Sequence, residues 1–145
     1  MASASFDLNR FEIVKFDPAN PAAGAIGGFT VPLNTVVQIL SCNFALVTDA
    51  TVADRYPFVA VNQGGDVMAS AVPGIAHPAS TSRNYKIAIG LQDPVEIAAI
   101  AFILAPLFTD TLIPPGWTIS IPVVNIQATD QIGNQVFMCK QWIVS

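Results

Sequence analysis

Eleven prolines and nine glycines interrupt this sequence so often that few stretches are long enough for a helix. Proline disrupts a helix interior and glycine weakens it, so this spacing favours short strands joined by turns. Between the breaks, polar and apolar residues alternate with the two-residue period of a strand buried on one face. The alternation is clearest at residues 117–123 and 85–91. The pattern predicts an all-β fold.

About eight strands can be placed by this alternation and by the turns between them. They cover residues 10–16, 35–47, 56–62, 66–72, 85–91, 96–108, 117–123 and 136–144. So many strands with proline and glycine turns in one chain of 145 residues predict a single-domain β-sandwich, and a jelly roll is the favoured arrangement. We place this β-sandwich domain at residues 29–145.

Residues 1–28 precede the domain and differ from it in character. They begin with a short strand and continue into a stretch rich in proline, glycine and alanine, residues 17–28. Such a segment favours an extended N-terminal arm that reaches over a neighbouring subunit. The alternative is an ordinary chain terminus without a fixed structure.

The stretch EIAAIAFILAPLF, residues 96–108, has no charged residue after Glu96. A membrane-spanning helix needs about 20 apolar residues, so this run is too short, and Pro106 interrupts it. Its alanines favour a helix, whereas the spacing of the neighbouring strands favours a strand. We expect a strand that is covered on both faces, by the opposite sheet and by a neighbouring subunit.

Charged residues make up only 11% of the chain, against about 25% in an average soluble domain, while hydrophobic residues make up 52%. A domain of this size leaves much of its chain at the surface, so it cannot hide all of this apolar area by itself. Residues 1–10 lack the basic start and apolar core of a secretory signal. We therefore expect a protein made in the cytoplasm, with no membrane segment, whose apolar surface is covered by its own copies or by a partner.

The net charge is −4, and the six lysines and arginines form no cluster along the sequence. A nucleic-acid-binding surface needs concentrated positive charge, so direct contact with nucleic acid is not predicted. The two cysteines, Cys42 and Cys139, lie far apart in apolar, strand-like stretches. Buried free thiols are favoured over a disulfide in a chain made in the cytoplasm.

No catalytic motif appears in the sequence, and the residues that catalysis needs are scarce. The one histidine, His77, lies beside a proline in a predicted loop. Asp49, Asp54 and Asp66 carry oxygens of the kind that calcium prefers, but their spacing matches no familiar calcium loop, so turn roles are favoured. The sequence predicts no catalytic residue, no cofactor and no metal site, and therefore no enzyme.

Two stretches together resemble small virion proteins of tailed bacteriophages. They are FALVTDATVADRYPFVAVNQGGD, residues 44–66, and LIPPGWTISIPVVNIQATDQIGN, residues 112–134, which leads to Gln141 and Trp142. The resemblance implies a β-sandwich that decorates or cements the phage capsid, often as a trimer. It also implies that the partner is the major capsid protein and that the protein lies on the capsid surface of the virion.

The residues predicted to contact such partners are Arg55, Phe58, Pro114, Pro115 and Trp117. Arg55 is one of few cations, and arginine is favoured at interfaces because its planar guanidinium offers several donors. The alternative role for Arg55 is a surface ion pair with Asp49 or Asp54, which would contribute little to stability.

A second candidate function is a tail or head-fibre β-sandwich module that binds carbohydrate on the host surface. Aromatic side chains supply flat apolar faces on which sugar rings stack. The candidates are Tyr56, Tyr85, Trp117 and Trp142. Burial in the core is the alternative for these side chains, and the alternation around Trp117 and Trp142 favours it.

Overall fold

The structure, a computed structural model, describes residues 7–144 and shows an all-β chain with one 3-10 turn, Ala98–Ile100. The strands of the described residues are β1 (Glu12–Phe16), β2 (Gly27–Thr30), β3 (Thr35–Val47), β4 (Tyr56–Pro57), β5 (Val59–Gln63), β6 (Asp66–Ala71), β7 (Ser82–Ala88), β8 (Val95–Ile97), β9 (Phe102–Pro106), β10 (Thr118–Ile121), β11 (Val123–Val124) and β12 (Gln131–Ile143). No helix in this part of the chain is long and apolar enough to cross a membrane.

Two sheets face each other across a single hydrophobic core. The larger sheet has the order β1-β12-β3-β7-β9-β8, the smaller has the order β2-β10-β5-β6, and β4 pairs separately with β11. Leu46 of the larger sheet and Ile119 of the smaller one are both fully buried in this core. The ring of Phe29 on β2 meets the ring of Phe137 on β12 edge-on, with 5.0 Å between centroids. The predicted β-sandwich is therefore confirmed.

The chain crosses repeatedly from one sheet to the other. Strands β1, β3, β7 and β12 belong to the larger sheet, and strands β2, β5, β6 and β10 belong to the smaller one. Taken in chain order, each of these eight strands is followed by one in the opposite sheet, except that β5 and β6 form a hairpin. Most neighbours within a sheet are therefore distant in sequence.

The number of strands is larger than the predicted eight. Three of the predicted runs are each divided in two: 56–62 at Phe58, 96–108 at the 3-10 turn, and 117–123 at Pro122. Strand β2 was not predicted as a strand at all. Proline explains one division directly, because Pro122 has no N–H to donate to a ladder.

The run 96–108 is not the single covered strand that the sequence predicts. Strand β8 is exposed throughout, the Ala98–Ile100 turn ends at Ala101 with φ of +51°, and β9 then returns antiparallel to β8. Strand β9 also pairs with β7 in parallel, and its Ile103 and Ala105 are fully buried. The reversal buries one half of the apolar run and leaves the other half at the sheet edge.

The expected N-terminal arm is wrong for residues 12–28, which belong to the sandwich of their own chain. Strand β1 pairs with β12, and the boundary placed at residue 28 falls inside β2. The segment between them is anchored by two glutamines: Gln135 Nε2 donates to the Ala19 carbonyl at 2.9 Å, and Gln131 Nε2 donates to the Pro21 carbonyl at 2.7 Å. Residues 1–6 of the predicted arm lie outside the described residues.

Both cysteines are buried free thiols, as the sequence predicts. Burial raises the pKa of Cys42 well above its usual range and raises the pKa of Cys139 to about 12. Neither sulfur is therefore a nucleophile near neutral pH, since reactivity belongs to the thiolate.

Candidate functional site

The N-terminal patch is one group of apolar side chains left uncovered on the larger sheet. Leu8 and Leu112 line a depression beside Trp142, and Phe11 and Ile143 line a second depression. The Trp142 indole is buried and donates from Nε1 to the Leu8 carbonyl at 3.1 Å, and its ring lies 5.8 Å from the Phe11 ring. Leu8 and Ile143 are nevertheless 57% and 66% exposed. We define the patch as Leu8, Phe11, Leu112 and Ile143.

A second uncovered surface, the β6 edge, lies at the margin of the smaller sheet. Strand β6 pairs only with β5, so its other side presents unpaired backbone N–H and C=O groups. We define the β6 edge by the exposed side chains Val67 and Met68 of the strand and Val72 just after it. Asp66 is the only charged residue of the strand. Proteins usually protect such edges with lysine, proline or a bulge. The β6 edge has part of this protection, because the β5–β6 register skips Met68 and Pro73 follows the strand, but its apolar side chains still make it a place for another chain to pair.

The larger sheet protects its two edges better. Strand β1 carries Glu12 and Lys15 among its five residues. Strand β8 has only three residues and includes Glu96, which accepts a hydrogen bond from Arg83 at 2.7 Å. The β6 edge, with one charged residue in six, is therefore more open than either edge of the larger sheet.

The structure separates the predicted interface residues into two places. Pro114, Pro115 and Trp117 surround a turn in which Gly116 has φ of +82° and donates its N–H to the Val31 carbonyl at 3.0 Å. Phe58 lies beyond the far end of β10, where its N–H donates to the Pro122 carbonyl at 3.0 Å. The two prolines, the tryptophan and the phenylalanine are all half-buried. Their contact with a partner stays a prediction.

Arg55, the fifth predicted interface residue, is instead buried inside the chain. Its Nε and Nη2 donate to the two carboxylate oxygens of Asp130, at 2.9 and 3.0 Å. Nη2 also donates to Asp49 Oδ1 at 2.7 Å, and Nη1 donates to the carbonyls of Thr51 and Ala53. With its donors used and its side chain covered, Arg55 offers nothing to a partner, so the interface role is wrong.

The alternative of a surface pair with Asp49 or Asp54 is also only partly right, because Arg55 bonds to Asp49 but is not at the surface. Its principal partner, Asp130, is 75 residues away in the sequence. The Asp130 carboxylate also accepts the N–H groups of Asp49 and Gln127, both at 2.8 Å. This cluster ties the loop after β3 to the loop before β12.

The charges of this cluster stabilise one another. Burial alone would raise the pKa of Asp130, but the hydrogen bonds from Arg55, Asp49 and Gln127 outweigh it and hold that pKa below its usual value. The Thr129 hydroxyl, 2.7 Å from Asp49 Oδ2, is the main cause that lowers the pKa of Asp49 to about 2. Both carboxylates are therefore ionised at neutral pH and act as hydrogen-bond acceptors.

His77 is buried next to this cluster and forms a backbone bridge with Arg55. Its Nε2 lies 2.9 Å from the Thr81 carbonyl, which can only accept, so we assign the ring proton to Nε2. Nδ1 then accepts from the Tyr85 hydroxyl at 2.8 Å. Desolvation by burial lowers the pKa of His77. His77 is thus a neutral, structural residue. Both of its ring nitrogens are engaged in hydrogen bonds inside the chain, so neither faces solvent as a catalytic group would.

The lowered pKa values of His77, Asp49 and Asp130 predict that the free energy of unfolding falls in two stages as the pH is lowered. The pKa of His77 is lower in the folded chain than its unfolded value of 6.5, so its contribution is complete above pH 6.5 and is lost as the pH falls towards the folded pKa. Asp49 and Asp130 have lower pKa values in the folded chain than their unfolded value of 3.8, so their contribution to stability is complete above pH 3.8. It is lost as the pH falls below 3.8, and for Asp49 the loss extends down to its folded pKa of about 2.

Urea unfolding midpoints measured from pH 8 to pH 2 test this expectation. The variant His77→Gln should remove the upper stage and keep the lower one. A stability that is independent of pH between 7 and 5 in the unaltered chain would contradict the assignment of His77.

Two of the proposed sugar platforms are excluded by burial. Tyr85 is fully buried and stacks on Phe44 with 4.8 Å between ring centroids, and Trp142 is only 3% exposed. Core burial, the alternative in the sequence analysis, is correct for both. Tyr56 and Trp117 are half-buried.

The aspartates considered for calcium serve other purposes. Asp49 is engaged by Arg55 and Thr129, whereas Asp66 begins β6 in the smaller sheet. Within residues 7–144, no group of three histidine, cysteine, aspartate or glutamate side chains is placed to hold a metal ion.

Comparison with protein families, with curated proteins and with solved structures gives no match for this chain. Its function is therefore inferred from its surface and its fold. The uncovered features are the N-terminal patch and the β6 edge, while the buried Arg55 cluster serves stability.

Proposed function

We propose that this chain is a structural virion protein, a capsid decoration or cement protein that forms homo-oligomers, preferably trimers, and binds across major capsid protein subunits to stabilise a phage head. The observation that carries the proposal is the apolar surface that remains after folding. Leu8 and Ile143 of the N-terminal patch, and Val67 and Met68 of the β6 edge, are each more than 50% exposed, on a chain with only 11% charged residues.

The two uncovered surfaces offer different kinds of contact. The N-terminal patch provides apolar area, and the β6 edge provides backbone groups for pairing with another strand. Specific interfaces bury about 1,200–2,000 Å² in total, and obligate ones are larger and more apolar. One surface for self-association and one for the shell would give a decoration protein its two sets of partners.

The order of the strands supports the same proposal. The series β1-β12-β3-β7 opposite β2-β10-β5-β6, with alternate crossing between sheets, supports a jelly-roll arrangement. We therefore propose a jelly roll to which β9 and β8 are added at one edge. Jelly rolls occur in viral capsid domains and also in lectins, so the fold agrees with the function without establishing it.

Such a protein acts through contact area alone. It bridges joints between shell subunits and adds contacts that must break before the shell opens, which requires no catalytic residue. Size-exclusion chromatography with light scattering should give a mass of about 46 kDa, three times the chain mass of 15.3 kDa. Purified phage shells should bind the protein and open at a higher temperature. A monomer at micromolar concentration that has no affinity for such shells would refute the proposal.

The β6 edge makes a specific prediction for self-association. Val67→Lys places a charge on the edge, as many natural edge strands do, and should weaken oligomerisation at least about tenfold, or about 1.4 kcal/mol. Val52→Lys is the matched control, because Val52 is 94% exposed but belongs to neither defined surface. Light scattering over a dilution series measures both. Equal dissociation constants for the two variants would remove the β6 edge from the oligomer interface.

A further inference from the structure

The outer face of the larger sheet contains a depression of about 290 Å³ whose lining combines polar and aromatic residues. Asn43 on β3, Asn84 and Lys86 on β7, Phe102 on β9 and Asn134 on β12 surround it. No carboxylate contributes to this lining. The N-terminal patch and the β6 edge do not include any of these residues.

The pairing of the strands explains why these side chains converge. Asn43 lies opposite Lys86, and Asn84 lies opposite both Ala45 and Phe102. Because successive side chains in a strand point to opposite faces, and Phe44 and Tyr85 face the core, the residues beside them face outwards. The small side chain at Ala45 leaves a low point among its larger neighbours.

One buried polar atom of a residue that lines this depression has no hydrogen-bond partner within the part of the chain that the structure describes. The Oδ1 atom of Asn43 is buried and has no hydrogen-bond partner among the described residues. A buried acceptor without a donor costs free energy, because water has been removed and nothing replaces it. Asn43 lines the depression while its Oδ1 stays unpaired and closed to solvent, so this acceptor gains a hydrogen bond only when the amide turns towards a donor of a bound molecule.

The surrounding groups indicate the chemistry of that molecule. Within residues 7–144, the amides of Asn84 and Asn134 and the ammonium group of Lys86 make no hydrogen bond from their side chains. Amides offer donors and acceptors together, which suits neighbouring hydroxyls. Phe102 provides an apolar ring, and Lys86 provides a positive charge that no acidic residue of the lining neutralises.

We propose that this depression binds a single sugar ring that carries a carboxylate, as in the acidic residues of surface polysaccharides. The Asn43 amide turns so that its Oδ1 accepts a hydroxyl hydrogen, Lys86 pairs with the carboxylate, and the ring's C–H face packs on Phe102. The volume of about 290 Å³ lies near the lower end of the range of about 300–1,000 Å³ for small-molecule pockets, which fits one ring.

Galacturonate and galactose form a matched pair for the test, because they differ at the carboxylate. We expect NMR titration of the full chain with galacturonate to shift the amide signals of β3, β7, β9 and β12, with a dissociation constant on the order of 1 mM. Galactose should bind severalfold more weakly. Lys86→Gln should abolish this preference, whereas Lys140→Gln, which changes a lysine lying 4.5 Å from the Phe11 ring, should preserve it.

Asn43→Leu tests the unpaired acceptor itself. The substitution should abolish binding of both sugars and raise the thermal midpoint, because it removes a buried acceptor that has no donor. Asn84→Ala, at an exposed position, should weaken binding without affecting folding.

Three results would overturn the proposal: no signal shifts at sugar concentrations far above 1 mM, shifts that persist in Asn43→Leu, or shifts outside these strands. Protection of Asn43 and Lys86 by phage shells, in a chain that binds no sugar, would instead assign this face to a protein contact.

Discussion

Asp130→Asn is expected to lower the free energy of unfolding by about 3 kcal/mol, because it leaves the buried Arg55 guanidinium without its main counter-charge. The value is at the lower end for a broken buried pair, since Asp49 still accepts a hydrogen bond from Arg55 and the cluster lies in loops at the end of the sandwich. The thermal midpoint should fall by roughly 10 °C for a chain of this length.

The matched control for this substitution is Asp17→Asn, which breaks the exposed pair with Lys15 at 3.4 Å. That pair is open to solvent, so its loss should change the free energy of unfolding by less than about 1 kcal/mol. Urea denaturation of both variants measures the difference. Similar values for the two substitutions would show that Arg55 and Asp130 contribute no more than a surface pair.

Gly28→Ala is expected to destabilise the fold by about 4 kcal/mol or to prevent folding, for two reasons that add. Gly28 has φ of +125°, a conformation that residues with a side chain rarely adopt. An added Cβ would also meet the backbone of β10, where it would overlap the Ile119 carbonyl oxygen and lie 2.7 Å from the Ser120 Cα. Neither backbone atom can move without disturbing the ladder between β2 and β10.

Gly74→Ala separates the two causes. Gly74 also has a positive φ, +72°, but nothing lies within 4 Å of an added Cβ. The substitution should therefore cost only about 1 kcal/mol, from the backbone conformation alone. Thermal unfolding and soluble yield compare the variants. If Gly28→Ala were as mild as Gly74→Ala, the close approach of β2 to β10 would be wrong.

Local patterns were sufficient to predict much of the fold. The pair Gly64-Gly65 predicted a tight turn, and the structure has the hairpin of β5 and β6 there, with Gln63 paired to Asp66 and Gly64 at φ of +59°. Alternation likewise predicted β3, β7 and β12, because each has one face in the core. These features depend on residues that are close in sequence.

Features that depend on distant residues could not be predicted in the same way. Asp130 lies in a predicted loop, and no local signal links it to Arg55. The sequence therefore predicts an interface role for an arginine that is buried inside the chain. The apolar run 96–108 gave no sign of its reversal, because the turn at residues 98–101 contains no glycine, proline or polar turn residue. The depression around Asn43 is formed by residues of four strands and cannot be predicted from any one of them.

The position of β12 between β1 and β3 has a consequence for the biosynthesis of this protein. Translation produces β12 after every other strand of the sandwich, so a nascent chain has its larger sheet divided until residues 131–143 leave the ribosome. During that interval β3, a long and mostly apolar strand, has one open side. Aggregation of incomplete chains through this open edge is then most favoured. Chaperone capacity during synthesis is therefore expected to limit the yield of native protein more than the stability of the finished fold does.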